Sequence, residues 1–146
     1  MPKFESKMEI DATVEKVWGV LTNPKHWPEW FPGVDSVANE TEVSQGATYT
    51  WTVEGRTGKI LIKALEPMKR LEIMTQVGDD QDAHVFQLRP SGGFLGLNAD
   101  ECQIEYTLDT LMGGGILGEF FAGGNPRDAL RVKKAMHLFR KLVEMT

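Results

Sequence analysis

Residues 34–111 alternate apolar and polar side chains over short runs, and turn-forming residues separate the runs. An alternation with a period of two is typical of β-strands that bury one face of a sheet. Because the intervening turns are short, successive strands are expected to pair as an antiparallel meander. Turns are predicted at residues 45–46, 54–56, 66–69, 78–80 and 91–100.

Folding each predicted hairpin about its own centre gives a register for the meander. Every resulting pair keeps apolar side chains on one face of the sheet, whereas a slip of one residue would move them to the other face. This agreement favours the meander. The predicted pairs are Trp51–Ile60, Tyr49–Ile62, Ile62–Ile73, Ile60–Thr75, Thr75–His84, Ile73–Phe86, Phe86–Ile104 and His84–Tyr106.

The predicted apolar face consists of rows of side chains that run across the strands. Two rows are almost wholly apolar, and the third places a hydroxyl, an imidazole and a phenol side by side among hydrophobic neighbours. The apolar rows are Tyr49, Ile62, Ile73, Phe86 and Ile104, and Ala64, Leu71, Leu88 and Cys102; the polar row is Trp51, Ile60, Thr75, His84 and Tyr106.

Helices are predicted on both sides of the meander. Residues 3–10 form a first strand, and Thr13 is the predicted N-cap of a helix with an apolar stripe. Residues 26–33 are rich in proline and aromatic rings, which predicts a short helical turn. Asn125 and Pro126 begin a second helix, predicted to run to about Glu144 with its apolar arc facing inward.

A wide apolar sheet face needs a cover, and the C-terminal helix is the longest element available. A twisted sheet that curves around one helix is expected to leave unfilled space. An empty gap of ~300 Å³ would cost about 7 kcal/mol, which rivals the ~5–15 kcal/mol stability of a domain. We therefore expect such a gap to hold a ligand, to hold water near the polar row, or to be closed by a loop.

Charge and composition exclude several classes of partner. The formal net charge is −5, with both signs interspersed, so no positive field attracts nucleic acid or an anionic membrane. No apolar stretch approaches the ~20 residues that span a bilayer, so an integral membrane protein is not expected. The first residues lack the apolar run of a signal peptide, and Cys102 is the single cysteine, which favours a cytoplasmic location. The oligomeric state stays open.

The first strand, the helix with Val17 and Trp18, the segment Asn-Pro-Lys-His-Trp-Pro-Glu-Trp-Phe-Pro-Gly-Val at residues 23–34, the meander and the last helix together resemble the helix-grip superfamily. This SRPBCC or START-like group includes lipid carriers, polyketide cyclases, coenzyme Q-binding proteins and the birch-pollen allergen group. The resemblance implies one α+β domain over residues 1–146, in which a curved seven-stranded antiparallel sheet grips a long C-terminal helix. It also implies two short helices between strands 1 and 2, and a hydrophobic pocket between sheet and helix. The chain departs from the pattern at its glycine runs, residues 113–115 and 123–124.

The apolar face, the aromatic turn and the last helix supply the candidate ligand-binding residues. The aromatic rings of the turn would stack on a flat ligand, or they would simply close one end of the core. The candidates are Trp27, Trp30, Phe31, Tyr49, Trp51, Ile60, Ile62, Ile73, Thr75, His84, Phe86, Ile104, Tyr106, Phe120, Phe121, Met136 and Phe139.

His84 and Tyr106 are the candidate proton-transfer groups if the protein is an enzyme. The alternative is a buried polar network that forms for stability alone. His26 and His137 are expected in a loop and on a helix surface, so the three histidines do not match a metal site, and no cofactor is expected. Cys102 and His84 lie two rows apart, which is too far for a nucleophile–base pair.

Three functions fit these features. The first is binding or carriage of a small hydrophobic molecule in a cavity between the sheet and the C-terminal helix. The second is a polyketide cyclase or dehydratase that uses the same cavity. The third is a protein-interaction module that uses glycine-rich flaps with the apolar residues Phe94, Leu95, Ile116, Leu117, Phe120 and Phe121; an ordered apolar plug is the alternative for these flaps.

Overall fold

The computed structural model describes residues 3–31, 34–37, 43–53, 55–78, 80–91, 100–111 and 126–146. Seven strands form one antiparallel sheet, in the spatial order β1-β7-β6-β5-β4-β3-β2. The strands are β1 (Lys3–Ile10), β2 (Val34–Val37), β3 (Thr48–Val53), β4 (Arg56–Glu66), β5 (Arg70–Val77), β6 (Asp80–Ser91) and β7 (Glu101–Leu111).

In the described part of the chain three helices accompany the sheet, which confirms the predicted α+β class. Helix α1 (Val14–Leu21) begins at Thr13, whose hydroxyl accepts a hydrogen bond from the Lys16 amide at 3.3 Å, as its N-cap position predicts. A 3-10 turn (Pro24–His26) leads into the short helix α2 (Trp27–Trp30). The long helix α3 (Pro126–Met145) ends the chain.

The cover of the sheet is shared between two helices. Helix α3 packs on β1 and β7, whereas α2 packs on β2 and on α3. Trp27 is tied into this layer because its indole N–H donates to the Leu21 carbonyl at 2.9 Å. The aromatic turn therefore shares with α3 the covering role that the sequence pattern assigns to the long helix.

The predicted face of the sheet is correct, but three of the four predicted hairpin registers are wrong by two residues. Tyr49 lies opposite Ile60, Ile73 lies opposite His84, and Phe86 lies opposite Tyr106. The β4–β5 pairing is as predicted, with Ile62 opposite Ile73 and Ile60 opposite Thr75, until a bulge after Ile62. The remaining predicted pairs, Trp51–Ile60, Tyr49–Ile62, Thr75–His84, Ile73–Phe86, Phe86–Ile104 and His84–Tyr106, are not the Cα partners.

Two tight turns explain two of these shifts. The β3–β4 turn closes between Val53 and Arg56, and the β5–β6 turn closes between Val77 and Asp80. Gly55 and Gly78 adopt φ values of 78° and 61° in these turns, a region in which glycine is unstrained. Each turn is thus centred one residue earlier than predicted. Every residue of these strands therefore pairs two positions away from its predicted partner. Because side chains alternate with a period of two, each stays on its predicted face of the sheet.

The core lies between the inner face of the sheet and the helices. Val132, Ala135, Met136, Phe139 and Val143 of α3 are buried there. None of the helices in the described part of the chain combines the length and apolar character that crossing a bilayer requires.

Candidate functional site

A cavity of about 60 Å³ lies inside the fold, at the end of the sheet where β3, β4, β5 and β6 make their tight turns. Its wall combines aromatic, aliphatic and polar side chains from the sheet, from the aromatic turn and from α3. The lining residues are Phe31, Val34, Trp51, Val53, Thr75, Val77, Asp82, His84, Tyr106 and Ala135.

Three polar side chains of this wall form one hydrogen-bonded network. His84 Nε2 lies 2.9 Å from Thr75 Oγ1, and His84 Nδ1 lies 2.6 Å from the Tyr106 hydroxyl. All three residues are buried, with at most 3% of their surface exposed. The contacts are diagonal across the strands, because Thr75 and Tyr106 are not the Cα partners of His84. The predicted polar cluster is therefore present despite the shifted register.

One arrangement of protons uses all of these contacts. The Thr75 hydroxyl also lies 3.5 Å from the Asp82 carbonyl oxygen, which can only accept a hydrogen bond. If Thr75 donates there, it accepts from His84 Nε2–H, and the bare Nδ1 of the neutral imidazole then accepts from Tyr106. In this arrangement His84 is the Nε2–H tautomer and Tyr106 donates to its Nδ1.

Trp51 contributes its indole ring to the same wall. Its indole N–H is buried and has no hydrogen-bond partner among the described residues. Gly58 is the cross-strand partner of Trp51, and a Cβ on Gly58 would lie 2.7 Å from Trp51 Nε1 and 2.3 Å from the Gln76 carbonyl oxygen. The indole occupies its place because residue 58 has no side chain.

Aromatic rings fill much of the remaining interior. Trp30 stacks on Phe31 at a centroid distance of 4.0 Å and meets Phe139 of α3 edge-on at 5.0 Å. Phe31 also meets Trp51 and His84 edge-on at 5.7 and 5.5 Å. The cavity is consequently far smaller than the ~300 Å³ gap considered above. The aromatic turn fills space that a sheet covered by one helix would leave empty.

The candidate ligand-binding residues fall into three groups. Phe31, Trp51, Thr75, His84 and Tyr106 line the cavity. Another set is buried in the core without lining this cavity: Trp27, Trp30, Tyr49, Ile60, Ile62, Ile73, Phe86, Ile104, Met136 and Phe139. Phe120, Phe121 and the other apolar flap residues lie outside the described residues.

The sequence-based candidates omitted five lining residues: Val34, Val53, Val77, Asp82 and Ala135. Three of them lie two residues along their strands from predicted residues: Val53 from Trp51, Val77 from Thr75, and Asp82 from His84. Residues i and i+2 of a strand share a face, so extending the predicted inner face to the end of each strand would have found them. Ala135 belongs to the predicted apolar arc of the last helix.

Cys102 does not take part in this site. Its side chain is fully buried, and burial raises the pKa of its thiol to about 11. A thiol with this pKa is protonated at neutral pH and is a poor nucleophile. In the described part of the chain, no three His, Cys, Asp or Glu side chains converge as metal ligands would.

An open groove of about 740 Å³ lies at the opposite ends of β5 and β6, beside the first turn of α1. Its lining contains charged residues of both signs, namely Glu15, Glu66, Lys69, Arg70 and Arg89. Arg70 is paired with Glu72 at 2.5 Å. This groove is open to solvent, whereas the cavity at His84 is largely enclosed.

Solved structures with the same architecture confirm the fold. A protein from Bacillus halodurans, BH1534, is similar with a TM-score of 0.75, at 15% identity over 99% of this chain and 98% of that chain. A START superfamily protein from Mycobacterium smegmatis is similar with a TM-score of 0.65, at 15% identity over 98% and 94% of the two chains. DynU16, a protein of the dynemicin biosynthetic locus, has a TM-score of 0.68 at 16% identity, and this chain covers 47% of its length.

No curated protein matches the sequence at a significant level. The sequence of residues 1–144 matches the family described as polyketide cyclase / dehydrase and lipid transport. Members of such a family share a fold that binds hydrophobic ligands, which agrees with the enclosed cavity between sheet and helix. The chain therefore belongs to the polyketide cyclase / dehydrase and lipid transport family.

Proposed function

We propose that the protein binds a small hydrophobic molecule in the cavity beside His84 and carries it without changing it. The observation that carries the proposal is a largely enclosed cavity whose aromatic and aliphatic wall contains one polar network, formed by Thr75, His84 and Tyr106. Apolar walls with a few fixed polar groups are typical of small-molecule sites.

The size of the cavity limits what enters without movement. A volume of about 60 Å³ accommodates a small group or a few water molecules. A larger guest requires wall residues to shift. Phe31 is the side chain best placed to do so, because it directly follows the short helix α2 and belongs neither to the sheet nor to a long helix. The proposal therefore predicts that ligand size and the position of Phe31 are coupled.

Native mass spectrometry of freshly purified protein, followed by a thermal-shift screen of small apolar and aromatic compounds, tests the proposal. A ligand at 100 times its dissociation constant adds ~2.7 kcal/mol to the free energy of unfolding, which is easily measured. No bound species and no shift of the melting temperature across the screen would contradict it.

A variant that fills the cavity tests where the ligand binds. Ala135 is buried and lines the cavity, so Ala135→Val places two added methyl groups in the space that a ligand would use. We expect this variant to fold and to lose ligand-dependent stabilisation. Lys134→Val is the matched control, because it adds the same β-branched side chain at an exposed position of the same helix.

A second candidate function is a cyclase or dehydratase reaction in the same cavity. It is favoured by one observation, which is the 2.6 Å contact between His84 Nδ1 and the Tyr106 hydroxyl in the cavity wall. An imidazole that is hydrogen-bonded to a phenol gives a route for moving a proton to or from a bound carbonyl compound.

Mass analysis of a bound ligand before and after prolonged incubation separates the two functions. Recovery of unchanged ligand supports carriage. Conversion that stops in Tyr106→Phe, while binding persists, supports the enzyme, because this variant keeps the ring and removes only the hydroxyl.

A further inference from the structure

Strand β1 stands at one end of the sheet, and among the described strands only β7 pairs with it. Its eight residues contain no proline, and they follow β7 without a shift of register. Every second residue of such a strand directs its backbone N–H and C=O groups away from β7. The outer side of β1 is therefore a regular edge on which a further strand can pair.

The two edges of the sheet differ in this respect. Strand β2, at the other end, has four residues and a shift of register between Val34 and Ser36. Short length and bulges are features by which proteins keep the edges of sheets from pairing with other chains. Strand β1 has neither feature, so it is the edge suited to pairing.

Two apolar side chains of β1 are incompletely covered. Phe4 and Met8 pack against the core but are only half-buried, whereas their cross-strand partners Leu108 and Ile104 are buried. Strand β7 has a neighbouring strand on both sides, and β1 has one on a single side. A strand added at the free edge would cover the exposed parts of Phe4 and Met8.

The other face of β1 carries charges that alternate in sign. Glu5, Lys7 and Glu9 are all exposed on this outer face. When two copies of β1 pair antiparallel with Ser6 opposite Ser6, Glu5 of each copy faces Lys7 of the other. On the inner face the same register places Phe4 opposite Met8. Unlike charges and apolar side chains directly opposite each other both stabilise an antiparallel pair.

The neighbouring registers lack these contacts. Pairing centred on Glu5 places two glutamates opposite each other, and pairing centred on Lys7 does the same with two lysines, which is destabilising. A shift of one residue would set inward-facing side chains opposite outward-facing ones, which the pleat of a sheet does not allow. The sequence of β1 thus favours one register for pairing with itself.

We infer that two copies of this chain pair through β1, antiparallel and about a two-fold axis at Ser6, so that their sheets become continuous. Each copy presents the same strand, as a two-fold dimer requires. One pair of strands buries less than the ~1,200 Å² at which specific interfaces begin, so a reversible dimer is expected. This interface is separate from the cavity and does not depend on the proposed function.

Sedimentation equilibrium of the full chain at about 1 µM to about 1 mM tests whether a dimer forms, since these concentrations bracket a weak association. A reversible dimer whose share rises with concentration is expected. A single monomer over the whole range would overturn the inference.

Reversing one charge tests whether β1 forms the interface. Glu5→Lys sets lysines opposite each other at both symmetric positions, and Lys7→Glu sets glutamates there. Each variant is expected to dimerise about 10-fold or more weakly. Lys59→Glu is the matched control, because Lys59 is exposed on the same outer face but lies on the central strand β4. It should leave the dimer unchanged.

Combining the charge reversals tests the register. An equimolar mixture of Glu5→Lys and Lys7→Glu should form a heterodimer, because two lysines of one strand then face two glutamates of the other. The double variant Glu5→Lys/Lys7→Glu should dimerise with itself again. Lys7 also lies 3.8 Å from Glu105 of β7, but this pair is solvent-exposed and its loss should cost little stability.

A measurement on the unaltered protein covers the case in which a variant does not fold. Phe4 and Met8 of one chain lie about 13 Å apart along the strand. In a mixture of isotope-labelled and unlabelled chains, a nuclear Overhauser contact between the Phe4 ring and the Met8 methyl group therefore comes from two different copies. The inferred register predicts this contact.

The outcomes decide between the inference and its alternatives. A dimer that lacks the contact between Phe4 and Met8, or that responds to the charge reversals no more than to Lys59→Glu, overturns pairing through β1. Weakened single variants that stay apart when mixed overturn the register. Ligand binding is measured separately, so each of these results leaves the proposed function standing.

Discussion

The indole nitrogen of Trp51 lies 2.7 Å from the point at which a Cβ of its cross-strand partner Gly58 would stand. The same point is 2.3 Å from the backbone oxygen of Gln76, which cannot move without distorting β5. Gly58 does not line the cavity, but it sets the position of the Trp51 ring, which does.

Gly58→Ala is expected to destabilise the fold by ~1–3 kcal/mol, because the added methyl group must displace Trp51 or the β5 backbone. Urea denaturation measures the change. Gly19→Ala is the control: a methyl group there would have no atom within 4 Å, and alanine in a helix is favoured over glycine by ~0.5–1 kcal/mol. Equal effects of the two substitutions would show that residue 58 has no special steric role.

The His84 network predicts the cost of removing either of its hydroxyl groups. Tyr106→Phe removes the hydrogen bond to His84 Nδ1, and Thr75→Val removes the hydrogen bond to His84 Nε2, so each is expected to cost ~1–3 kcal/mol. Thr50→Val, at an exposed threonine of β3, is expected to change stability by less than ~0.5 kcal/mol.

The double variant Thr75→Val/Tyr106→Phe tests whether the two hydroxyl groups act through the same imidazole. Their effects should fail to add by ~0.5–3 kcal/mol, as expected for residues of one network. Strict additivity would argue that the three side chains are merely neighbours.

Phe31→Ala is expected to enlarge the cavity and to destabilise the protein by ~3–5 kcal/mol. The enlarged apolar space should then bind a small apolar probe such as benzene or xenon, as dry engineered cavities do. Thermal denaturation measures the loss of stability, and changes of chemical shift on adding the probe measure its binding. A loss of stability without any gain in probe binding would mean that the neighbouring rings collapse into the space.

Burial of Cys102 predicts a pH dependence above the neutral range. Its thiol pKa is raised from 9.0 to about 11 in the folded state, chiefly by burial. Between these two values the unfolded chain has lost the thiol proton and the folded chain keeps it, so stability falls as the pH rises. Below pH 9 the thiol is protonated in both states, so its contribution to the free energy of unfolding is fully present.

Denaturation midpoints measured from about pH 8 to about pH 11 check this dependence. The decline should be steeper in the unaltered protein than in Cys102→Ala. Identical slopes for the two proteins would contradict the raised pKa.

The inner face of the sheet was predictable from sequence because an error of two residues in a hairpin leaves every side chain on its face. The positions of the two tight turns were harder to predict, since they depend on Gly55 and Gly78 adopting positive φ. The β6–β7 register was predicted by assuming that the loop between the two strands is symmetric. Phe86 instead pairs with Tyr106, so the pairing of these strands is centred one residue later than predicted. Helix starts were predicted well because Thr13 and Pro126 are strong start signals.

The candidate site was only partly predictable, and the reason is packing. The pattern placed Thr75, His84 and Tyr106 together, and hydrogen bonds among them follow from that. The free volume depends on how the rings of Trp27, Trp30 and Phe31 lie against the sheet, and no periodicity in the sequence encodes that. The place of the Trp51 indole likewise depends on the absence of a side chain at residue 58, across the hairpin.

The most direct test of the account is to locate a bound ligand by intermolecular nuclear Overhauser effects. A small apolar or aromatic compound found by the thermal-shift screen and bound in the cavity should show contacts from its protons to the Ala135 methyl group and to the Tyr106 ring. Binding with contacts only to Met68 and Leu88, which line the open groove at the other end of the sheet, would contradict it.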